Sequence, residues 1–141
     1  MTPAPGTGAE AGGVSILVVE DEPMVREVAA RMLGRLGHSV SVCQDGEEAV
    51  AHYQEHWRGI DLVILDLLMP RLDGEETFLR LQAINPEVVV LLSSGYSIDG
   101  KAQRVIDAGA RAFIQKPFRK AELSAKISEA LRGQPGSEAP R

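Results

Sequence analysis

The stretch Asp61-Leu-Val-Ile-Leu-Asp-Leu-Leu-Met-Pro70 decides how this chain folds. Four consecutive apolar residues, Leu62 to Leu65, lead directly into Asp66, and a short unbroken apolar run is typical of a strand buried on both faces. Pro70 and the Asp73-Gly74 pair then indicate a turn. Asp66 is therefore predicted at the end of a central strand, where a carboxylate is unfavourable unless an interaction stabilises its charge.

The composition is that of one globular domain. The chain has 141 residues, of which 44% are hydrophobic and 25% charged, so it can form a hydrophobic core. A net charge of −5 argues against a nucleic-acid-binding surface. Cys43 is the single cysteine, which excludes an internal disulfide framework and a cysteine-based zinc cluster. Because no apolar run of about 20 residues and no signal peptide occurs, we expect a cytoplasmic protein without membrane insertion.

Both ends of the chain differ in composition from its centre. Residues 1–13 are mainly proline, glycine, alanine and threonine, and residues 133–141 are similar. Such segments bury too little apolar surface to fold. We expect a flexible leader at 1–13, a folded domain at 14–132 and a flexible tail at 133–141. The sequence does not say whether the domain stands alone or was part of a longer protein such as a hybrid kinase.

Strand and helix patterns alternate along the folded part. A strand is predicted from Ser15 to Val19, and a helix begins at Pro23, carries apolar residues at helical spacing and ends at Gly37. An alternating segment, His38 to Cys43, is typical of an edge strand. The remaining elements are a helix after Asp45-Gly46, the Asp66 strand, a helix from about Glu75 to Ile84, a strand from Val88 to Leu92, a helix ending near Gly109, a short strand from Ala112 to Gln115, and a last helix through Leu123 and Leu131.

Five strand–helix units in strict alternation predict an α/β fold of the doubly wound (βα)5 type. Such a fold has a five-stranded parallel sheet with helices on both faces, joined by right-handed crossovers. The apolar first, third and fourth strands are expected in the middle, and the second and fifth at the edges. The strand order 2-1-3-4-5 of flavodoxin-like proteins satisfies these conditions.

Polar residues follow the carboxyl ends of four of the predicted strands. Glu20 and Asp21 follow the first strand, Asp66 ends the third, Ser94 follows the fourth and Lys116 follows the fifth. Ligand sites in such sheets lie beyond these strand ends, so the five side chains are expected to converge. Crowded carboxylates require a cation, and Mg²⁺ suits a site with few carboxylates and retained waters. Together with a hydroxyl and a lysine, this arrangement can accept a phosphoryl group on a carboxylate.

Each of these residues taken alone has a simpler explanation. Glu20 and Asp21 fit acids at a helix N-terminus, Asp66 and Ser94 fit turn residues, and Lys116 fits a solvated strand end. Their convergence on one rim favours a functional site over separate structural roles.

Two histidines lie outside this rim. His52 and His56 are four residues apart on one predicted helix, which is the spacing of a zinc-binding pair. No third ligand is evident nearby and both flank an apolar face, so solvated histidines are the favoured interpretation. Cys43 is interpreted as an inert residue of the edge strand.

At the rim residues the chain resembles the receiver domain of two-component response regulators. The matching motifs are Val18-Val-Glu-Asp-Glu-Pro23, Asp61 to Pro70, Ser93-Ser-Gly-Tyr96 and Phe113-Ile-Gln-Lys-Pro117. The resemblance extends over about Ser15 to Gly133. The serine-glycine and lysine-proline motifs are most similar to receivers attached to hybrid histidine kinases.

The resemblance implies a signalling domain rather than an enzyme acting on other substrates. Asp66 would accept a phosphoryl group from a phosphohistidine on a histidine kinase or histidine phosphotransfer protein, assisted by Mg²⁺. It implies that Asp21, Asp66 and the backbone carbonyl of Leu68 bind Mg²⁺ directly. Glu20, the fourth residue of the metal site, would act through a bound water.

The resemblance also implies a conformational switch. Ser94 and Lys116 would contact the phosphoryl oxygens, and Phe113 would reorient with Ser94. A downstream partner would bind the face formed by the fourth helix, the fifth strand and the fifth helix. Two residues depart from the commonest pattern: Glu20 replaces an aspartate and leaves the ligand geometry open, and Ser94 replaces a threonine and lacks the methyl that biases its rotamer.

Three other functions fit the sequence less well. A phosphorylation-independent pseudo-receiver, acting as a protein-interaction module, would usually lack an acid or the lysine, and neither is missing. A flavodoxin-like cofactor carrier needs a glycine-rich phosphate loop where Glu20-Asp-Glu-Pro23 stands. An aspartyl-phosphate phosphatase would carry a second acid at the position of Leu68. The sequence does not specify the cognate kinase, the downstream output or the oligomeric state.

The lifetime of the acyl phosphate is also left open by the sequence, although two residues bear on it. Leu68 and Tyr96, two positions past Asp66 and Ser94, carry neither an acid nor an amide to orient a hydrolytic water. We therefore expect slow self-dephosphorylation.

Overall fold

The computed structural model describes residues 13–69, 71–95 and 100–132, and within them strands and helices alternate. The strands are β1 (Ser15–Val19), β2 (Ser39–Cys43), β3 (Leu62–Asp66), β4 (Val90–Ser94) and β5 (Ala112–Gln115). The helices are α1 (Pro23–Arg35), α2 (Gly46–His56), α3 (Gly74–Ile84), α4 (Gly100–Ala108) and α5 (Lys120–Arg132), with a 3-10 turn at Trp57–Gly59 after α2. Except for Gly13, the leader and tail predicted at 1–13 and 133–141 lie outside the described residues.

The strands form one parallel sheet in the order β2-β1-β3-β4-β5. This confirms the predicted doubly wound fold. All residues of β3 and β4 are buried, whereas most of β2 is exposed or half-buried, as the alternating pattern of an edge strand predicts. Among the described residues, no helix combines the length and the apolar character that crossing a membrane would require.

Side chains of successive strand residues point to opposite faces of the sheet, so each face has its own core. On one face α2, α3 and α4 cover the strands through Ala49, Tyr53, Phe78, Leu81, Ala102 and Val105. On the other face α1 and α5 pack through Ala29, Leu33, Leu123, Ile127 and Ala130. Both cores hold β3 at the centre, which fixes the position of Asp66 at its end.

The fourth strand differs from its sequence prediction. It was expected from Val88 to Leu92, and it runs from Val90 to Ser94. Val88 and Val89 are buried, but they precede the strand, and the Val88 amide donates to the carbonyl of Asn85. An apolar run indicates which residues are buried, but not which of them form the strand. This explains why the observed strand is shifted by two residues from the predicted one. As a result, Ser94 belongs to the strand and is itself buried.

Helix α1 buries a narrower face than its apolar spacing predicted. Ala29 and Leu33 are its buried residues, whereas Val28 is 45% exposed and Met24 is 77% exposed. Exposure of a single apolar residue is ordinary, but these two lie side by side on one turn of the helix. They border the sheet edge at which Asp66 lies.

Candidate functional site

The predicted rim residues converge at the carboxyl ends of β1, β3 and β5. Lys116 Nζ donates to Oε1 of Glu20 at 3.0 Å and to Oδ1 of Asp66 at 3.3 Å. Carboxylate oxygens of Glu20, Asp21 and Asp66 all lie within 4.8 Å of one another. Three acids and one lysine therefore share a single site.

The parallel register brings these residues together. Val19 on β1 pairs with Leu65 on β3, and the next residues along the two strands are Glu20 and Asp66. The two acids therefore lie side by side at the ends of adjacent strands. Asp66 in turn pairs with Ser93 on β4. The amide of Lys116 donates to the carbonyl of Ser94 at 2.7 Å and so holds the lysine against the end of β4. A cis peptide bond joins Lys116 to Pro117.

The electrostatics of the site are dominated by Asp66, which is only 3% exposed. Burial, followed by the charge of Glu20, raises the pKa of Asp66 to about 7, while Lys116 acts in the opposite direction. Burial disfavours the charge of Lys116, but Asp66 and Glu20 outweigh it, so the pKa of Lys116 is raised. The single lysine thus offsets only part of the negative charge.

The donor set fits a hard divalent cation. All three acids offer carboxylate oxygens, which are the ligands that Mg²⁺ and Ca²⁺ prefer. Asp21 is half-buried, which leaves the cluster open to solvent on that side. A cation at this position would relieve the repulsion from Glu20, which adds to burial in raising the pKa of Asp66.

A groove of about 740 Å³ opens beside the acids. Asp21, Asp66 and Lys116 form its charged end. Its remaining lining is mainly apolar and is contributed by Met24, Val25, Val28, Leu68, Pro117 and Phe118. Leu68 is 46% exposed, and on α1 Val28 is 45% exposed and Met24 is 77% exposed. The groove can therefore receive a charged group that is carried on an apolar partner surface.

The predicted switch residues occupy adjacent strands. Ser94 ends β4 and pairs with Gln115, and Leu92, two residues earlier, pairs with Phe113 on β5. Phe113 is half-buried and packs against the core formed with α2, α3 and α4. Tyr96, to which the sequence assigned a role in phosphoryl lifetime, lies outside the described residues.

Sequence reasoning missed two residues that shape the site. Arg26 on α1 donates from Nη1 to the backbone carbonyl of Glu20 at 2.8 Å, and no motif pointed to it. Gly74 allows α3 to approach β3: a Cβ there would lie 2.6 Å from Cα of Leu67 and 2.7 Å from the carbonyl oxygen of Asp66. The Asp73-Gly74 pair signalled a turn, but only packing reveals this contact.

Two other sequence candidates lie outside this site. His52 is half-buried and His56 is exposed on α2, and their ring centroids are 4.6 Å apart. Cys43 is buried at the end of β2, and burial raises the pKa of its thiol to about 12. This agrees with an unreactive cysteine, since the thiolate is the nucleophilic form.

With this geometry in view, the comparisons with known proteins identify the family. Residues 16–128 match the model of the response regulator receiver domain, and the chain belongs to this family. Response regulator MprA of Mycobacterium sp. (strain KMS) is 38% identical over 129 residues, which cover 90% of this chain and 54% of that protein. The chain thus spans about half the length of the curated response regulators that it matches.

Further relatives agree in sequence and fold. Sensor kinase CckA of Brucella abortus is 31% identical over 123 residues, which cover 87% of this chain and 13% of the kinase. A receiver domain protein from Clostridium thermocellum superposes with a TM-score of 0.80 at 27% identity, covering 84% of this chain and 94% of that chain. A chain of the CheX-CheY-BeF3-Mg+2 complex from Borrelia burgdorferi superposes with a TM-score of 0.78 at 26% identity, covering 84% of this chain and 90% of that chain.

Proposed function

We propose that this receiver domain is a phosphoacceptor in a two-component phosphorelay and that Asp66 accepts the phosphoryl group. The observation that carries the proposal is the placement of Asp66. It is a buried carboxylate at the end of the central strand, in contact with Lys116 and clustered with Glu20 and Asp21. Burying a carboxylate in this way is unfavourable for folding, so a functional role accounts for it.

In the proposed reaction, an oxygen of Asp66 attacks the phosphorus of a phosphohistidine on the donor. The new oxygen–phosphorus bond forms as the phosphorus–nitrogen bond breaks, and the imidazole leaves with the bonding electron pair. Such transfers depend mainly on positioning and on charge stabilisation. The domain thereby assists its own phosphorylation and later hydrolysis, and it is otherwise a signalling module.

Mg²⁺ would supply positive charge to the phosphoryl oxygens when bound. Asp21, Asp66 and the backbone carbonyl of Leu68 are assigned as direct ligands, and Glu20 as a ligand through water. The contacts of Glu20 support its indirect role: Oε1 accepts from Lys116, and Oε2 accepts from the amide of Glu22 at 3.2 Å. Both of its oxygens are thus already hydrogen-bonded.

Lys116 and Ser94 are proposed to stabilise the phosphorylated state. The ammonium of Lys116 already contacts Asp66, so a phosphoryl group on Asp66 would lie within its reach. The hydroxyl of Ser94 would donate to the same group from the end of β4. Phe113 would then move inward, and the face of α4, β5 and α5 would change for a downstream partner.

The donor is proposed to be a histidine kinase or histidine phosphotransfer protein. The apolar lining of the groove suits a protein surface, because Met24, Val28 and Leu68 expose hydrocarbon beside the acids. A small phosphodonor would not need that surface. The similarity to the sensor kinase CckA is consistent with a receiver of the hybrid-kinase type. No feature of the described residues favours the phosphorylation-independent alternative.

Intact-mass spectrometry tests the proposal. The protein is incubated with acetyl phosphate, with Mg²⁺ or with chelator. We expect the mass gain of one phosphoryl group that requires Mg²⁺ and disappears in Asp66→Asn. Asp61→Asn is the matched control, because Asp61 adjoins the opposite end of the same strand and binds the amide of Ser15. A gain that persists in Asp66→Asn would refute the assignment.

A further inference from the structure

A second group of metal-ligating side chains lies on the last turns of α2. His52, Glu55 and His56 occupy positions i, i+3 and i+4, which share one face of a helix. All three line a pocket of about 540 Å³ together with Ser15 and Ser39, the first residues of β1 and β2. The group is therefore at the amino ends of the strands, at the opposite edge of the sheet from Asp66.

The distances among these side chains are close to those of a zinc site. With nitrogen ligands about 2.0 Å from a tetrahedral zinc ion, two ligand atoms lie about 3.3 Å apart and two imidazole ring centres about 5 Å apart. In the structure Nε2 of His56 and Oε1 of Glu55 are 3.8 Å apart, and the ring centroids of His52 and His56 are 4.6 Å apart. Side-chain movement is therefore needed to bring all three donors onto one ion.

Movements of two of the three side chains, Glu55 and His56, are inexpensive because both are exposed. The side chain of Glu55 is 79% exposed and that of His56 is 57% exposed. The three donors do not yet meet the mutual spacing that Glu20, Asp21 and Asp66 satisfy. Oε1 of Glu55 and Nε2 of His56 already lie within that spacing, so the remaining difference involves the half-buried His52.

The end of the helix also favours such a site, whereas a neighbouring cation opposes it. The donors lie at the C-terminus of α2, where the carbonyl dipoles stabilise positive charge. The nearby guanidinium of Arg58 is stacked over the ring of Trp57 at 4.5 Å. The stacking places the guanidinium against the Trp57 ring, although its positive charge still disfavours a second cation in the same pocket.

We propose that His52, Glu55 and His56 form a site for a divalent transition-metal ion of the zinc type, separate from the acidic cluster. Imidazole ligands select zinc-like ions over Mg²⁺, whereas the carboxylates at Asp66 select hard ions. The two sites therefore differ in ligand chemistry as well as in position. Water would complete the coordination in the pocket.

The site is tested by titrating the untagged protein with Zn²⁺ in excess Mg²⁺, which occupies the acidic cluster. Calorimetry gives the stoichiometry, and the emission of Trp57, the single tryptophan, reports binding beside His56. We expect one zinc ion per chain. Replacing a group that only orients a ligand weakens metal binding about 10–100-fold, so His52→Gln and His56→Gln should each weaken it at least tenfold.

Two further variants separate coordination from general charge effects. Glu55→Gln should weaken Zn²⁺ binding, whereas Glu47→Gln, at the other end of α2, should leave it unchanged. Equal affinity in the His52→Gln/His56→Gln double variant and the parent would overturn the proposal. Equal affinity in Glu55→Gln and the parent would overturn the three-ligand site.

Discussion

The ammonium nitrogen of Lys116 lies 3.3 Å from Oδ1 of Asp66, although the two residues are 50 positions apart in the chain. The same nitrogen binds Glu20, so one cation is shared between two buried carboxylates. Burial, followed by the charge of Glu20, raises the pKa of Asp66 to about 7 even with this lysine in contact. This raised pKa also makes the free energy of unfolding of the metal-free protein depend on pH.

The first prediction concerns that linkage. The pKa of Asp66 is about 7 in the folded protein and 3.8 ordinarily, so between these values the folded state holds a proton that the unfolded state has lost. The free energy of unfolding should therefore fall as pH rises from about 4 to about 7. Asp66→Asn should flatten this part of the profile. Urea unfolding in chelator across this range measures the effect.

Other groups contribute to the pH profile, and His38 is one, since burial lowers its pKa. The comparison with Asp66→Asn isolates the contribution of Asp66, because His38 is present in both proteins. Asp61→Asn serves as the control and should keep the parental slope. Parallel profiles for the parent and Asp66→Asn would contradict the raised pKa.

The second prediction concerns the close packing at Gly74. Its Cβ would overlap backbone atoms of Asp66 and Leu67, which cannot move without shifting the site. Gly74→Ala should therefore reduce the free energy of unfolding by about 1–3 kcal/mol. Gly34→Ala is the matched control: Gly34 is exposed in α1 with open space around it, so alanine there should add about 0.5–1 kcal/mol. Urea denaturation that shows no loss in Gly74→Ala would refute this account.

The third prediction concerns the lifetime of the acyl phosphate. Leu68 lines the groove beside Asp66 and offers hydrocarbon where an amide could orient water. Leu68→Asn should accelerate hydrolysis, since each ~1.4 kcal/mol removed from the barrier raises the rate tenfold. Leu68→Met keeps the apolar surface and should decay like the parent. Acyl-phosphate decay followed by intact mass distinguishes the variants, and equal rates in all three would rule out shielding by Leu68.

The fourth prediction concerns the switch. A stable phosphoryl mimic such as beryllofluoride with Mg²⁺ should shift the amide resonances of Val105, Ile106 and Phe113, because the charge on Asp66 would draw Ser94 and then Phe113 inward. Ser94→Ala should keep the changes near Asp66 and lose those on α4 and β5. Shifts confined to the acidic cluster in the parent protein would exclude this route.

Much of the fold could be predicted from the sequence because the hydrophobic pattern of each strand matches its burial in the structure. The unbroken apolar run before Asp66 predicted a central strand, and the alternation of His38 to Cys43 predicted an edge strand; the structure confirms both. The predicted start of β4 was wrong because Val88 and Val89 are buried but precede the strand, although the carbonyl of Val89 accepts from the amide of Val63 at 2.9 Å. Apolar character alone does not distinguish these two situations.

The candidate site was predictable in composition but not in its contacts. Strand ends placed Glu20, Asp21, Asp66, Ser94 and Lys116 on one rim, as found. That Lys116 bridges two acids depends on side-chain reach across the sheet, and that Arg26 holds the Glu20 carbonyl depends on how α1 packs. Both are tertiary contacts, and the sequence around these residues contains no pattern that predicts them.

The most direct test of the central claim is the chemical location of the phosphoryl group. After reaction with acetyl phosphate and Mg²⁺, borohydride reduces an aspartyl phosphate to homoserine, and peptide mass spectrometry then identifies the modified position. Homoserine at position 66, formed only when Mg²⁺ is present, is the predicted result. Modification at position 20 or 21 in place of position 66, or none at any position, would contradict the proposed function.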